Sequence, residues 1–116
     1  MVRELEELKD KILTEITVIN DEEILFICNS GETYRMYHEQ DCCEYVSIED
    51  IVGDLSCLLN NPIVIAEEVT ETGTNEWGTY TWTFYKFATV KGYVTIRWYG
   101  ESNGYYSEGV DIEKVG

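Results

Sequence analysis

The densest run of chemically reactive side chains lies at residues 38–44, which read His-Glu-Gln-Asp-Cys-Cys-Glu. His38 is the only histidine, and together with Asp41, Cys42 and Cys43 it offers donor types that zinc binds. A histidine and a cysteine are also the pair that a thiol nucleophile and its general base require. The segment therefore raises two chemical hypotheses, a metal site and a thiol-dependent site, beside a purely structural interpretation.

The spacing within this segment favours the structural interpretation. Zinc-binding cysteines usually come in pairs with two residues between them, whereas Cys42 and Cys43 are adjacent and no second pair is present. In an extended strand His38 and Cys42 would lie about 13 Å apart, and the neighbouring acids would raise the pKa of a thiol rather than lower it. We therefore expect Asp41 to cap a turn and one cysteine to enter the core, with no catalytic residue, metal or cofactor.

A second candidate surface is a tyrosine-rich face of the C-terminal strands. Alternation along residues 92–100 separates an apolar face from a second face that carries Tyr93, Arg97 and Tyr99. Tyr105, on the strand that follows, is assigned to the same surface. Tyrosines around one arginine can stack on a planar ligand or form a protein-binding hot spot. A small-molecule or nucleotide-signal site is one interpretation, and a face covered by a helix is the other.

Charge is the strongest global feature of the sequence. The 116 residues include 23 acids against 8 lysines and arginines, which gives a formal net charge of −15. Such a protein repels nucleic-acid phosphates and anionic membranes and associates fastest with a basic surface, although an acidic surface also serves solubility alone. The candidate contacts to a basic protein are the acids in or beside predicted turns: Glu22, Glu23, Glu67, Glu68, Glu71 and Glu76.

The remaining composition indicates a cytoplasmic protein, and we expect a monomer or weak dimer with no nucleic-acid or membrane partner. No stretch approaches the ~20 apolar residues of a membrane span, and the N-terminus lacks the apolar segment of a signal peptide. Without a secretory signal the four cysteines are expected to be unpaired. Cys28 and Cys57 lie in apolar runs and are predicted to be buried.

Hydrophobic periodicity predicts two helices in the scaffold that must position these groups. Apolar residues with helical spacing predict an N-terminal helix at residues 2–12. Ser47, followed three residues later by Asp50, resembles a helix start and predicts a central helix at residues 48–60.

Alternating apolar and polar residues predict antiparallel strands elsewhere. A β-meander is expected at residues 14–38, followed by the reactive segment at 38–44 and by a C-terminal antiparallel sheet at 63–113. The predicted fold is a single α+β domain over residues 1–116, rich in antiparallel sheet, with about seven to eight strands and the two helices.

Four segments are distinctive as a set: YHEQDCCE at residues 37–44, IEDIVGDL at 48–55, YTWTFY at 80–85 and RWYGESNGYYS at 97–107. Over residues 34–112 the sequence resembles an uncharacterised family of small proteins carried by bacteriophages and mobile elements. The resemblance implies no activity and no catalytic residue. It implies a setting in which small acidic proteins often inhibit host machinery, and in which some present carboxylates where nucleic-acid phosphates would sit.

The leading functional hypothesis is a non-enzymatic phage-type binding protein that inhibits a host defence or nucleic-acid-handling protein, as anti-CRISPR proteins do. Its partner would be a host protein with a basic surface. One alternative is a protein that sequesters a small molecule or nucleotide signal on the tyrosine-rich face. The other is a metal- or thiol-dependent protein centred on residues 38–43.

Overall fold

The computed structural model describes residues 3–39, 44–76, 78–103 and 108–115. Within these ranges no helix has the length and apolar character needed to cross a membrane. Strands dominate, and the elements in chain order are α1 (Arg3–Glu7), β1 (Leu13–Ile19), β2 (Glu23–Cys28), β3 (Thr33–Tyr37), β4 (Glu44–Val52), a 3₁₀ turn (Leu55–Leu58), β5 (Ile65–Thr74), β6 (Thr79–Thr89), β7 (Gly92–Ser102) and β8 (Asp111–Lys114).

The strands form two four-stranded antiparallel sheets. The first sheet has the strand order β1-β2-β3-β8, and the second has the order β4-β7-β6-β5. Their inner faces contact each other, because the rings of Phe26 and Phe87 lie 5.6 Å apart between centroids. The indole N–H of Trp98 also donates to Met36 Sδ at 3.2 Å. The protein is therefore a β-sandwich with its core between the sheets.

Burial alternates along the central strands, as the two-residue period of a strand requires. In β2 the buried residues are Ile24, Phe26 and Cys28, and the residues between them are half-buried. Cys28 carries a free thiol, and burial, more than any nearby charge, raises its pKa. In β7 the same alternation buries the apolar face, which comprises Val94, Ile96 and Trp98.

The predicted α+β class is wrong, and the N-terminal helix is the first reason. In place of a helix at residues 2–12 there is one helical segment of five residues, Arg3–Glu7. Asp10 adopts the left-handed backbone conformation, with φ of 70°. Its N–H donates to the carbonyl oxygen of Ile63 at 2.8 Å, and the N–H of Ile63 donates to that of Lys11 at 2.9 Å. This pairing with the chain before β5 replaces further helical bonds.

The predicted central helix at residues 48–60 is the second reason. Residues 48–52 continue β4, and only Leu55–Leu58 turn, as a single 3₁₀ turn. The β-branched residues in and after the predicted helix start, such as Ile48 and Ile51, favour a strand. Leu58 of the turn is nevertheless buried, and Ile51, Leu55 and Leu59 are half-buried against the core. The apolar spacing therefore identified residues that contact the core but predicted the wrong secondary structure.

Gly53 and Asp54 separate β4 from the 3₁₀ turn. Gly53 has φ of 104°, and a Cβ atom there would lie 2.5 Å from the carbonyl oxygen of Tyr93. Only glycine fits this position without displacement of the neighbouring strand. Asp54 is the actual cap, since its carboxylate accepts from the N–H of Ser56 at 2.9 Å. This backbone bond and the Ser56 hydroxyl lower the pKa of Asp54.

The predicted C-terminal sheet at residues 63–113 is divided between the two layers. The strands β5, β6 and β7 do form consecutive antiparallel pairs. The last strand, β8, leaves them and pairs with β3, so that Ile112 lies opposite Met36. Its place beside β7 is taken by β4, in which Ile48 lies opposite Trp98.

Candidate functional site

The outer face of the second sheet carries a row of aromatic side chains. Trp82 of β6 lies opposite Tyr99 of β7, with 4.8 Å between ring centroids. Tyr80 stacks on Tyr99 at 6.2 Å, and Phe84 stacks on Trp82 at 6.0 Å. These four residues form what is termed the aromatic row. All four are half-buried, and since the only described helix has five residues, no long helix covers them.

The tyrosine-rich face predicted as a ligand site lies on this same side of the sheet. Tyr93 is 74% exposed, Tyr99 belongs to the aromatic row, and Arg97 lies between them on β7. Tyr105, the fourth predicted residue, lies outside the described residues. The structure thus brings three of the four predicted residues onto one face, and it adds the tryptophan and phenylalanine of β6.

Arg97 is engaged by its neighbours within this face. Its Nε lies 2.9 Å from Asp50 Oδ1, although the N–H does not point at that oxygen. Its guanidinium carbon lies 5.3 Å from the centroid of the Trp82 ring, within cation–π range. An ion pair of this kind reduces the attraction of the arginine for an anionic ligand.

A β-bulge in β4 places two consecutive acids on the outer face. Ile48 lies opposite Trp98 and Asp50 lies opposite Arg97, so Glu49 is an extra residue between two neighbouring pairs. Regular alternation would turn Asp50 towards the core. Because of the bulge, both Glu49 and Asp50 are exposed. Asp50 pairs with the arginine, and Glu49 reaches the aromatic row.

Glu49, Tyr80, Trp82 and Tyr99 line an open pocket of about 420 Å³. A volume of this size lies in the usual range for ligand pockets. The ring of Tyr80 lies over Gly73 of β5, where a Cβ atom would be 2.4 Å from the tyrosine hydroxyl oxygen. Glycine at this position therefore leaves the space that the Tyr80 ring occupies.

The surroundings of the aromatic row are acidic. The Tyr99 hydroxyl donates to Glu101 Oε2 at 3.3 Å, and burial followed by the charge of Glu101 raises the pKa of Tyr99, which keeps the phenol neutral. The bases on this face are Arg97 and Lys86, and Lys86 lies opposite Glu67. The described acids of this face are Glu49, Asp50, Glu67, Glu71 and Glu101.

Four of the six acids predicted for protein contacts are exposed. Glu67 and Glu71 of β5 lie on the outer face of the second sheet, opposite Lys86 and Trp82. Glu76 is exposed in the connection between β5 and β6. Glu22 is exposed in the turn between β1 and β2, on the other sheet. The exposed acids therefore do not form one patch: two of them belong to the face of the aromatic row.

The other two predicted acids hold neighbouring side chains. Glu23 accepts from Arg35 Nε at 2.6 Å, across the pair β2–β3. Glu68 accepts from the hydroxyl of the buried Tyr85 at 2.6 Å. Burial first, and this hydrogen bond second, raise the pKa of Tyr85 far above its ordinary value. Both acids thus have a structural partner within the chain.

Of the reactive segment at residues 38–44, the structure describes His38, Glu39 and Glu44. The side chains of His38 and Glu44 are 3% and 2% exposed, and His38 Nε2 lies 3.7 Å from Glu44 Oε2. His38 Nδ1 lies 2.6 Å from the carbonyl oxygen of Gly109. Among the described residues, no three His, Cys, Asp or Glu side chains are grouped so as to hold a metal ion. The residues of the segment outside the described ranges include Asp41, Cys42 and Cys43.

Of the four described residues that line the pocket, the sequence analysis predicted Tyr99 as a site residue and missed Glu49, Tyr80 and Trp82. For Tyr80 and Trp82 a signal existed, because the two-residue turn at 90–91 fixes the register of the hairpin and places Trp82 opposite Tyr99. For Glu49 no such signal existed. A bulge changes the face of every later residue in a strand and is not visible in hydrophobic alternation.

Comparison with protein families finds a match that spans almost the whole chain. Residues 6–112 match a family model described as a domain of unknown function, DUF7448. No curated protein and no solved structure matches the chain. The matched residues include all four strands of the second sheet and therefore the whole aromatic row. The chain is a member of the DUF7448 family of domains of unknown function.

Proposed function

We propose that the protein is a non-enzymatic binding protein that docks the outer face of its second sheet on a basic protein surface. The observation that carries this proposal is that acidic side chains surround the aromatic row on the same face of the sheet. Half-exposed aromatic side chains supply contact area at low entropic cost and are enriched at the energetic centres of interfaces. Surrounding carboxylates favour a cationic partner and repel anionic ones.

The charges of the outer face support a protein partner over a nucleotide or nucleic acid. Each of its two bases faces an acid, since Arg97 lies beside Asp50 and Lys86 lies opposite Glu67. The remaining acids of the face have no such base opposite them among the described residues, and they contribute to the net charge of −15 of the chain. An anionic ligand would therefore approach against repulsion, whereas a basic surface would be steered towards the face.

The finer form of the proposal concerns the identity of the partner. We propose a host defence or nucleic-acid-handling protein, whose basic groove for phosphates is complementary to a surface of carboxylates. Occupation of that groove would inhibit the partner. A bacteriophage or mobile-element setting, in line with the sequence resemblance, belongs to this finer proposal.

The experiment compares two double variants that change the net charge equally. Glu67→Lys/Glu71→Lys reverses two acids beside the aromatic row, and Glu15→Lys/Glu22→Lys reverses two exposed acids on the first sheet. The wild type and both variants are immobilised, and proteins retained from bacterial lysate are quantified at low and high salt. We expect a partner that is retained by the wild type and by the first-sheet variant, lost with the outer-face variant, and released by salt.

Three results would overturn the proposal. They are equal loss with both variants, loss with the first-sheet variant alone, and the absence of any salt-sensitive partner. The inhibitory part is tested separately on the identified partner. Its affinity for nucleic acid, measured by fluorescence anisotropy, should fall as the wild-type protein is added and should not fall with Glu67→Lys/Glu71→Lys. An unchanged affinity would contradict inhibition while leaving binding intact.

A further inference from the structure

The pocket at the centre of the outer face has the composition of a cation site. Among the described residues, those that line it are the aromatic residues Tyr80, Trp82 and Tyr99 and the acidic residue Glu49. The negative faces of aromatic rings attract cations, and tryptophan does so most strongly. A carboxylate at the edge adds both charge and a hydrogen-bond acceptor.

The described residues of the chain do not supply a cation to this pocket. Arg97 contacts the ring of Trp82 but is paired with Asp50, and it is not among the residues that line the pocket. Glu49 is the exposed extra residue of the bulge and makes no ion pair within the described residues. The pocket is therefore an aromatic and acidic recess that is open to a group from another molecule.

We propose that this pocket binds the ammonium group of a lysine side chain that the partner presents. The inference rests on the proposed function and names the chemical group that the outer face recognises. The methylene chain of lysine would contact the rings, and its ammonium N–H groups would donate to Glu49. A quaternary ammonium group could contact the rings but has no N–H to donate to the carboxylate.

The test is an NMR titration of the full chain with small probes. Nα-acetyl-lysine methylamide carries the ammonium group, and Nα-acetyl-norleucine methylamide is its neutral analogue of similar length. The indole N–H signal of Trp82, assigned with Trp82→Phe, reports occupation of the pocket. We expect saturable shifts with the lysine probe with a Kd in the tens of millimolar, as for a single cation–π site of about 2 kcal/mol, and no saturable shift with the norleucine probe.

Two matched acid variants locate the site. Glu49→Gln removes the carboxylate of the pocket, and Glu15→Gln removes an exposed carboxylate of the first sheet, away from the docking face. We expect Glu49→Gln to weaken lysine binding about three- to fivefold, the effect of one exposed ion pair, and Glu15→Gln to leave it unchanged. Equal weakening by both variants, or an equal response to norleucine, would overturn the inference.

The outcome is separable from that of the proposed function. If the lysine probe does not bind but Glu67→Lys/Glu71→Lys still abolishes partner capture, the lysine site is refuted and the docking face stands. If the lysine probe binds at Glu49 but no partner is captured, the docking function is refuted. Stronger binding of a trimethylated lysine probe than of lysine, with no effect of Glu49→Gln, would refute the role assigned to the carboxylate.

Discussion

At the scale of single residues, Glu108 joins the two sheets through three hydroxyl groups. Its carboxylate accepts from Thr81 at 2.8 Å, from Ser102 at 2.5 Å and from Thr79. The three donors lie at the ends of β6 and β7, whereas Glu108 lies on the chain that leads to β8 in the other sheet. Burial raises the pKa of Glu108, but the three hydrogen bonds outweigh it, so the pKa lies below its ordinary value of 4.5.

This lowered pKa gives a pH-dependent contribution to stability. Because the pKa of Glu108 is lower in the folded state, the contribution is complete above pH 4.5 and is lost as the pH falls through the folded-state pKa. We expect Glu108→Gln to lower the free energy of unfolding by about 1–3 kcal/mol near neutral pH, since it removes a charged acceptor of three hydrogen bonds.

Urea unfolding at pH 7 and at pH 3 tests this expectation. The difference between the wild type and Glu108→Gln should shrink at the lower pH. Glu101→Gln serves as the control, because Glu101 accepts one long hydrogen bond at the outer face. If Glu108→Gln lowers the free energy of unfolding by the same amount at both pH values, the charge of the carboxylate does not contribute to stability.

Residue positions within the C-terminal hairpin were predictable, because strand alternation is local. Tyr93, Arg97 and Tyr99 share the outer face as predicted, and Trp98 is fully buried on the other side. The pairing of Arg97 with Asp50 was not predictable. It depends on a neighbouring strand that lies far away in sequence and on a bulge within that strand.

At the scale of elements, two separate requirements for glycine meet at Gly53, which connects β4 to the 3₁₀ turn. It has a left-handed backbone, and it also approaches the carbonyl oxygen of Tyr93 too closely for any Cβ atom. Gly31 has nearly the same φ, 101°, but has open space around it. The pair of glycines therefore offers a matched comparison of backbone strain with and without a steric clash.

We expect Gly31→Ala to lower the free energy of unfolding by about 1–2 kcal/mol, the cost of a left-handed conformation for a residue with a side chain. Gly53→Ala should cost at least about 3 kcal/mol, because overpacking adds to the same strain. Urea unfolding of both variants measures the difference. Equal costs would mean that the chain at Gly53 moves away from Tyr93 without penalty.

The two helices were predicted wrongly because contacts between distant segments of the chain decide the local backbone conformation. The apolar spacing at residues 2–12 and 48–60 is compatible with a helix, and several of its residues are indeed buried. Backbone pairing of Asp10 with Ile63 and the place of β4 beside β7 are contacts across the fold. The pairing of β8 with β3 is also a contact across the fold, and the short sequence of β8 does not indicate which sheet it joins.

At the scale of the whole molecule, the net charge of −15 opposes compaction. Salt shortens the range of this repulsion, since the Debye length falls from about 30 Å at 0.01 M to about 8 Å at 0.15 M. We expect the Tm to rise by about 2–5 °C between these concentrations of NaCl, which corresponds to somewhat less than 1 kcal/mol for a domain of this size.

Differential scanning calorimetry at the two salt concentrations measures this shift. Glu15→Lys/Glu22→Lys carries less negative charge and should show a smaller rise than the wild type. A Tm that falls with added salt would mean that local attractions, such as the ion pair of Lys11 with Glu32, outweigh the net repulsion.

The bulge in β4 also has an evolutionary consequence. Because Ile48 and Asp50 occupy consecutive positions of the ladder, Glu49 is equivalent to a one-codon insertion that leaves the pairs on both sides in register. Loss or gain of that codon would remove or restore the pocket carboxylate without any substitution in the core. A change of one residue in chain length at this position would therefore alter the pocket that we propose as a lysine site, while the strand pairs on both sides keep their register.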